Sequence, residues 1–414
     1  MEKVKSFKIS REAVFLAYRK VKENRGAAGV DGESLEEFEK HLDDNLYKLW
    51  NRMSSGSYFP VPVKAVEIPK RTGGTRTLGV PTVMDRIAQA VVVMMIEPNI
   101  ERYFHADSYG YRPNRGAHDG IAITRERCWK YNWLIEYDIR GLFDNINHEK
   151  LMKAVRRHVK ENWQLLYIER WLTVPIQYKN GILKERTKGV PQGGVISPLL
   201  SNLFLHYAID EWMYRKHSNV PWARYADDGV MHCKTKAEAE LLIEALDSRL
   251  KECDLEMHQD KTKIVYCGNK DTRANRSFTF LGFTFQPRRA YSKDSKEVFT
   301  SFLPAISKEK QKLIRQEIRK DNIRARTDLS IEDIAKMYNP KLRGWHNYFG
   351  KFYPSKLTKI WKYFNKALVL WAQSKYKNIR TSKKKATAFI QRIQEKCGNL
   401  FFHWKLKTGR AIYV

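Results

Sequence analysis

Apolar residues return every three or four positions over 10–22, where Val14, Phe15, Tyr18 and Val21 predict one face of a helix. A second helix is expected after Ser34, which has Glu37 three residues on as a capping box. Its buried stripe is Phe38, Leu42, Leu46, Leu49 and Met53. The period then shortens to two. Val66–Pro81 reads as a hairpin turning at Gly73-Gly74, and Trp133–Ile139 as a strand. Ala223–Cys233 reads as two strands joined by a tight turn that carries Asp227 and Asp228. Between these, Asp85 opens a nearly all-apolar helix to Ile96, and Asp144 is expected to cap a helix starting near His148. Ser197 is expected to cap another, with Pro198 in its first position and Phe204, Tyr207 and Ile209 toward the core. Ala237–Leu250 is amphipathic, Met257–Tyr266 leads two lysines into a strand, and Phe278–Phe285 alternates about Gly282 as a short hairpin. Ser330, with Asp333 three residues on, restarts helical periodicity.

Charge changes this picture more than composition does. A hydrophobic content of 43% over 414 residues argues for a folded chain of two or three subdomains. The formal charge is +30, a strong attraction for polyanions, and it is unevenly spread. Residues 301–414 hold 27 Lys and Arg against 7 Asp and Glu, and no acid occurs from Ile334 to Gln394. That stretch is read as a nucleic-acid face. The five cysteines show no paired short spacing, so neither a zinc site nor a disulfide framework is indicated. No apolar run approaches the ~18 residues of a membrane span, and the start lacks a secretory core, so a cytosolic compartment is expected.

The candidate chemistry lies in the strand-rich middle. Two adjacent carboxylates on a tight turn repel each other unless a cation sits between them, and hard oxygens suit Mg²⁺. Turn propensity alone would also select an Asp pair. Asp138, at the C-terminal end of its strand, supplies a third acid, and the carbonyl of Ile139 a further hard ligand. Lys70 and Arg76 flank the Gly-Gly turn, either to grip a triphosphate or as a solvated basic turn. Asn24–Gly32 is a glycine-punctuated loop, functional or merely interhelical. Ser108–Gly116 fits base stacking and phosphate contact, or a rigid Pro-containing turn. In the loop 186–196, glycines allow close approach to a nucleotide, with Gln192 available to bond in the minor groove. Phe143 reads as core by default.

The blocks Gly26–Gly32, Val66–Pro81, Ser108–His118, Tyr137–His148, Gly189–Pro198, Arg224–Asp228, Lys261–Val265 and Phe280–Phe283 occur in this order, followed by Arg343–Phe349. Together they resemble a reverse transcriptase of the bacterial group II intron maturase family. The resemblance implies an α+β right-hand polymerase. Residues 1–60 would be an N-terminal extension and first fingers helices, 61–300 fingers and antiparallel-sheet palm, and 301–414 a basic helical thumb, the maturase X region. It implies that Asp138 and Asp227 hold two Mg²⁺ ions, for which Mn²⁺ can substitute, with Ile139 as backbone ligand and Asp228 as acidic neighbour. By the same resemblance Lys70 and Arg76 grip the triphosphate, Phe143 is a steric gate under the sugar, and Gln192 lies by the incoming nucleotide. Tyr225, Lys261, Lys263 and Arg112 are expected at primer and template. Implied partners are an RNA template, a DNA or RNA primer, dNTPs and structured intron RNA, with no membrane, in the bacterial cytoplasm. The implied function is RNA-directed DNA polymerisation with a part in intron splicing and retrohoming. A splicing cofactor with secondary polymerisation and a domesticated polymerase in phage defence or repair are the competing readings. Family members often carry a His-Asn-His endonuclease after the thumb. With Cys397 the one cysteine beyond residue 300, a short form without it is expected.

Overall fold

The computed structural model describes residues 7–69, 74–268, 275–291 and 296–406. Helix α1 (Arg11–Asn24) starts where the Ala13 N–H donates to the Ser10 hydroxyl, and it buries Val14, Ala17, Tyr18 and Val21. Phe15 falls one position round from that stripe and stays 45% exposed. The Ser34–Glu37 box forms, but it opens only the short α2 (Leu35–Glu39); α3 (Leu42–Ser55) restarts after a break. Strands β1 (Val63–Pro69) and β2 (Thr75–Val80) pair antiparallel, with Ile68 opposite Arg76. Lys70, which follows β1 in the sequence, lies outside the described residues.

Helix α4 (Val83–Glu101), capped by Thr82, is buried on nearly every side, as its apolar run requires. Then come α5 (Ala117–Arg127), β3 (Trp133–Asp138), α6 (Leu142–Asn145), α7 (His148–His158) and α8 (Asn162–Thr173). The cap of α7 is Asn147, whose side chain accepts from the Lys150 N–H. Asp144 is spent inside the separate turn α6. Two short strands, β4 (Ile176–Gln177) and β5 (Leu183–Lys184), complete a sheet in the order β2-β1-β4-β5. Helix α9 (Ser197–Leu205) has Ile196 as its cap, so Ser197 is its first helical residue and not the cap. A π-helical turn, His206–Asp210, joins α9 to α10 (Glu211–Lys216). Strands β6 (Trp222–Tyr225) and β7 (Asp228–Cys233), helix α11 (Lys236–Glu252) and β8 (Lys263–Tyr266) follow, and the sheet order is β6-β7-β3-β8.

Beyond this, β9 (Phe278–Phe280) and β10 (Phe283–Tyr291) turn at Leu281-Gly282, both with positive φ. A third strand, β11 (Val298–Ile306), runs along all of β10, Phe283 opposite Ile306. Helices α12 (Lys308–Lys320), α13 (Ile331–Phe349), α14 (Thr358–Lys375) and α15 (Lys383–Lys396) complete the described chain, α13 opened by the expected Ser330–Asp333 box. Their core is aromatic: Tyr338, Trp361, Phe364, Trp371, Phe401 and Trp404 are buried. The basic residues between them face outward, and Lys383, Lys384 and Lys385 are all exposed.

By packing, the chain divides into two compact units. One comprises 1–120, 137–231 and 236–263; the other comprises 121–136, 232–235 and 264–414. This differs from a division at 60 and 300. Residues 1–60 join the first unit because α1 and α3 pack on α4. The second begins well before 300, with the β9–β11 sheet inside it. Among the described residues no helix is long and apolar enough to cross a membrane, and the five cysteines are free thiols.

Candidate active site

The turn between β6 and β7 has two residues, Ala226 and Asp227, since Tyr225 is opposite Asp228 in register. Ala226 sits at φ 57°, a conformation that an L-residue accepts only when its surroundings enforce it. Those surroundings are a buried ion pair. The Arg224 guanidinium, with no exposed surface, donates to both Asp210 oxygens at 2.8 and 2.6 Å. It also donates to Asn202 Oδ1, to the Ala226 carbonyl and to Ser108 Oγ. Its backbone is gripped as well, the Arg224 N–H donating to the Asp107 carbonyl and the Tyr109 N–H to the Arg224 carbonyl. Gly110 completes the clamp. A Cβ there would lie 2.6 Å from the Ala226 nitrogen, so only glycine lets this segment pass.

Asp138 ends β3 beside this turn. The Ile139 N–H donates to the Asp227 carbonyl at 3.3 Å and the His258 N–H to the Asp138 carbonyl at 2.8 Å. Burial, and then the charge of Asp138, push the Asp227 carboxyl above the usual carboxylate range. The Lys261 ammonium donates to Asp138 Oδ2 at 2.7 Å. Two mutually repelling carboxylates with a cation already drawn to one of them form a donor set that fits a hard divalent ion.

The other candidates fall around this centre or away from it. Tyr111, at φ 53°, has its ring 6.3 Å from that of Tyr225. Burial and the Asp227 charge push its hydroxyl up, while Arg76 on β2 pulls the other way. The Gly79 N–H donates to the Gln192 carbonyl, and Gly193 at φ 125° would bring a Cβ to 2.8 Å from the Gly79 carbonyl oxygen. Gln192 is thereby seated against the strand that carries Arg76. Phe143 is half-buried in α6 and its carbonyl accepts from the Val190 N–H; its buried neighbour is Leu142. Arg112 corrects an expectation. It is 9% exposed, and its donors go to Glu101 and to the carbonyls of His105 and Ser108, so it braces its own loop and has no free face for template. Lys263 opens β8.

Sequence reasoning missed Arg224, Asp210, Asn202 and Ser108 as a unit. The available signal was a charged residue in an otherwise apolar and aromatic strand, and an aspartate within an apolar helical run.

Residues 68–285 match the reverse transcriptase (RNA-dependent DNA polymerase) family, and residues 311–389 match the group II intron maturase-specific domain. Protein YkfC of Escherichia coli K12 is 33% identical over 304 residues, 63% of this chain and 76% of that protein. The group II intron-encoded protein LtrA of Lactococcus lactis subsp. cremoris is 30% identical over 195 residues, 46% of this chain and 32% of that protein, so the match spans about a third of it. Among solved structures, a telomerase from Candida albicans aligns with 91% of this chain and 71% of its own at 12% identity and a TM-score of 0.47.

Proposed function

The chain belongs to the reverse transcriptase family with a group II intron maturase domain, and we propose that its Asp138–Asp227 site adds deoxynucleotides to a primer along an RNA template. It is an RNA-directed DNA polymerase of the group II intron kind. The observation that supports the residue-level reading is the turn itself, which holds Asp227 beside Asp138 against their mutual repulsion. Asp138, Asp227 and the Ile139 carbonyl would hold two Mg²⁺ ions, or Mn²⁺ in their place, which would supply Lewis-acid stabilisation of the charge that develops on the reacting oxygens.

The chain's own residues do the positioning. Arg76, with Lys70, takes the charge of the triphosphate, Arg by bidentate donation and Lys as a point charge. Gln192 faces the incoming nucleotide, Phe143 packs under its sugar where a 2′-hydroxyl would clash, and Tyr225 contacts the primer end. Lys261 steadies Asp138, and Lys263, two residues on, serves the primer–template. Asp228 adds to the negative field of the pair. The acid-free face of residues 334–394 binds the duplex and structured intron RNA, which is how one chain serves both polymerisation and splicing.

The test is extension of oligo(dT) on poly(rA) by the intact protein with dTTP and Mg²⁺. Incorporation that stops when the ion is chelated is expected. A folded protein that extends a DNA template but never this RNA template rejects the reading.

A further inference from the structure

Away from the polymerase centre, His105, His206 and Glu211 bring one ligand atom each to within 4.8 Å of one another. Two parts of the fold meet here. His105 lies in the turn after α4, and His206 and Glu211 bracket the π-helical turn between α9 and α10. An α-helix advances about 100° per residue, which sets residues five apart well round its axis. The π turn, closed by the Glu211 N–H donating to the His206 carbonyl, absorbs one residue more and stacks the two side chains on one face.

His105 Nε2 lies 3.0 Å and His206 Nε2 4.0 Å from the same atom, Glu211 Oε1. The other oxygen, Oε2, accepts from Arg215 at 2.7 and 3.0 Å, which turns Oε1 toward the imidazoles. His206 is 3% exposed. Its Nδ1 is buried without a partner, and 4.0 Å is too far for Nε2 to donate. Nε2, facing Glu211 beyond hydrogen-bond distance, can offer its lone pair to an ion with the proton held on Nδ1. Two ligands of a tetrahedral zinc ion stand ~3.3 Å apart, between the two distances present.

We propose that His105, His206 and Glu211 bind one late first-row divalent metal ion, zinc by class. The ion is structural and its place explains its use. The His105 carbonyl accepts from Arg112, and the chain runs on to Asp107 and Ser108, which hold Arg224. Glu211 follows Asp210, the other partner of Arg224. The ion ties together, from outside, the two supports of the Asp227 turn.

Untagged full-length protein, stripped by chelator, is titrated with Co²⁺ alone and followed by visible absorption. One equivalent should give ligand-field bands, in the parent and in Asp227→Asn alike, and Zn²⁺ should abolish them. His105→Gln and Glu211→Gln, each checked to be folded by its melt, should lose the bands and weaken Co²⁺ binding by more than the ~10–100-fold that removal of an outer partner costs. Absent bands in the parent would reduce the cluster to a His105–Glu211 hydrogen bond and overturn the site. Bands that persist in both ligand variants, or vanish in Asp227→Asn, would overturn it equally.

Discussion

Phe143 stands half-buried in α6 while its neighbour Leu142 carries the packing, and this separates its two readings. A core phenylalanine cut to alanine costs ~3–5 kcal/mol. Phe143→Ala should instead melt close to the parent and gain ribonucleotide incorporation, measured as the ratio of rNTP to dNTP extension. A destabilised variant that still rejects ribonucleotides would return Phe143 to the core. Arg224 behaves oppositely. Removing it leaves the Asp210 carboxylate buried and uncompensated, so Arg224→Met should lose about 3–5 kcal/mol in denaturant unfolding. A loss under about 1 kcal/mol would mean that the pair does not hold the turn. The sequence makes Asp138, Asp227 and Arg224 visible one by one, but not their partners. Asp210 is 14 residues from Arg224, Ser108 is 116 away, and Lys261 is 123 from Asp138. No local period carries information over such separations.

At the scale of elements, what is legible is what is local. The Ser34–Glu37 and Ser330–Asp333 boxes need only three residues of context, and both form. The break between α2 and α3 and the π turn after α9 depend on neighbouring elements, and neither shows in the apolar stripe. The first turn of α4 offers a test. Asp85, 3% exposed, accepts from the Tyr58 and Thr82 hydroxyls, yet burial pushes its carboxyl up to about 6. The fold therefore favours the protonated form. That contribution is full below the ordinary value near 3.8 and is lost as pH rises through about 6. Asp85→Asn removes this dependence, so its stability relative to the parent should grow between about pH 3 and 7, by about 3 kcal/mol at full titration. A difference that does not change with pH would show Asp85 to be ionised throughout.

For the whole molecule, the charge imbalance is plain in composition, while the two packed units are not. They interleave in sequence, with 121–136 and 232–235 belonging with 264–414, and no composition shift marks those cuts. The basic helices give the corresponding prediction. Lys383, Lys384 and Lys385 are exposed in the first turn of α15, where the helix dipole disfavours cations. Replacing all three by alanine should favour the helix, so weaker RNA binding could not be blamed on unfolding. The slope of log K against log[salt] should flatten by ~0.9 for each duplex phosphate that is no longer neutralised, or ~0.7 on a single strand. A slope equal to the parent's would make the run a solvated face. The central claim is that Asp227, held beside Asp138 by the Arg224 clamp, is the acid on which nucleotide addition depends. Asp227→Asn keeps the shape of the turn and removes the charge, so poly(rA)-templated extension of oligo(dT) is the direct measurement. The account predicts a rise of several kcal/mol in the barrier, a loss of ~10³-fold or more in rate, with template–primer affinity unchanged. Near-parental extension by the folded variant would contradict it.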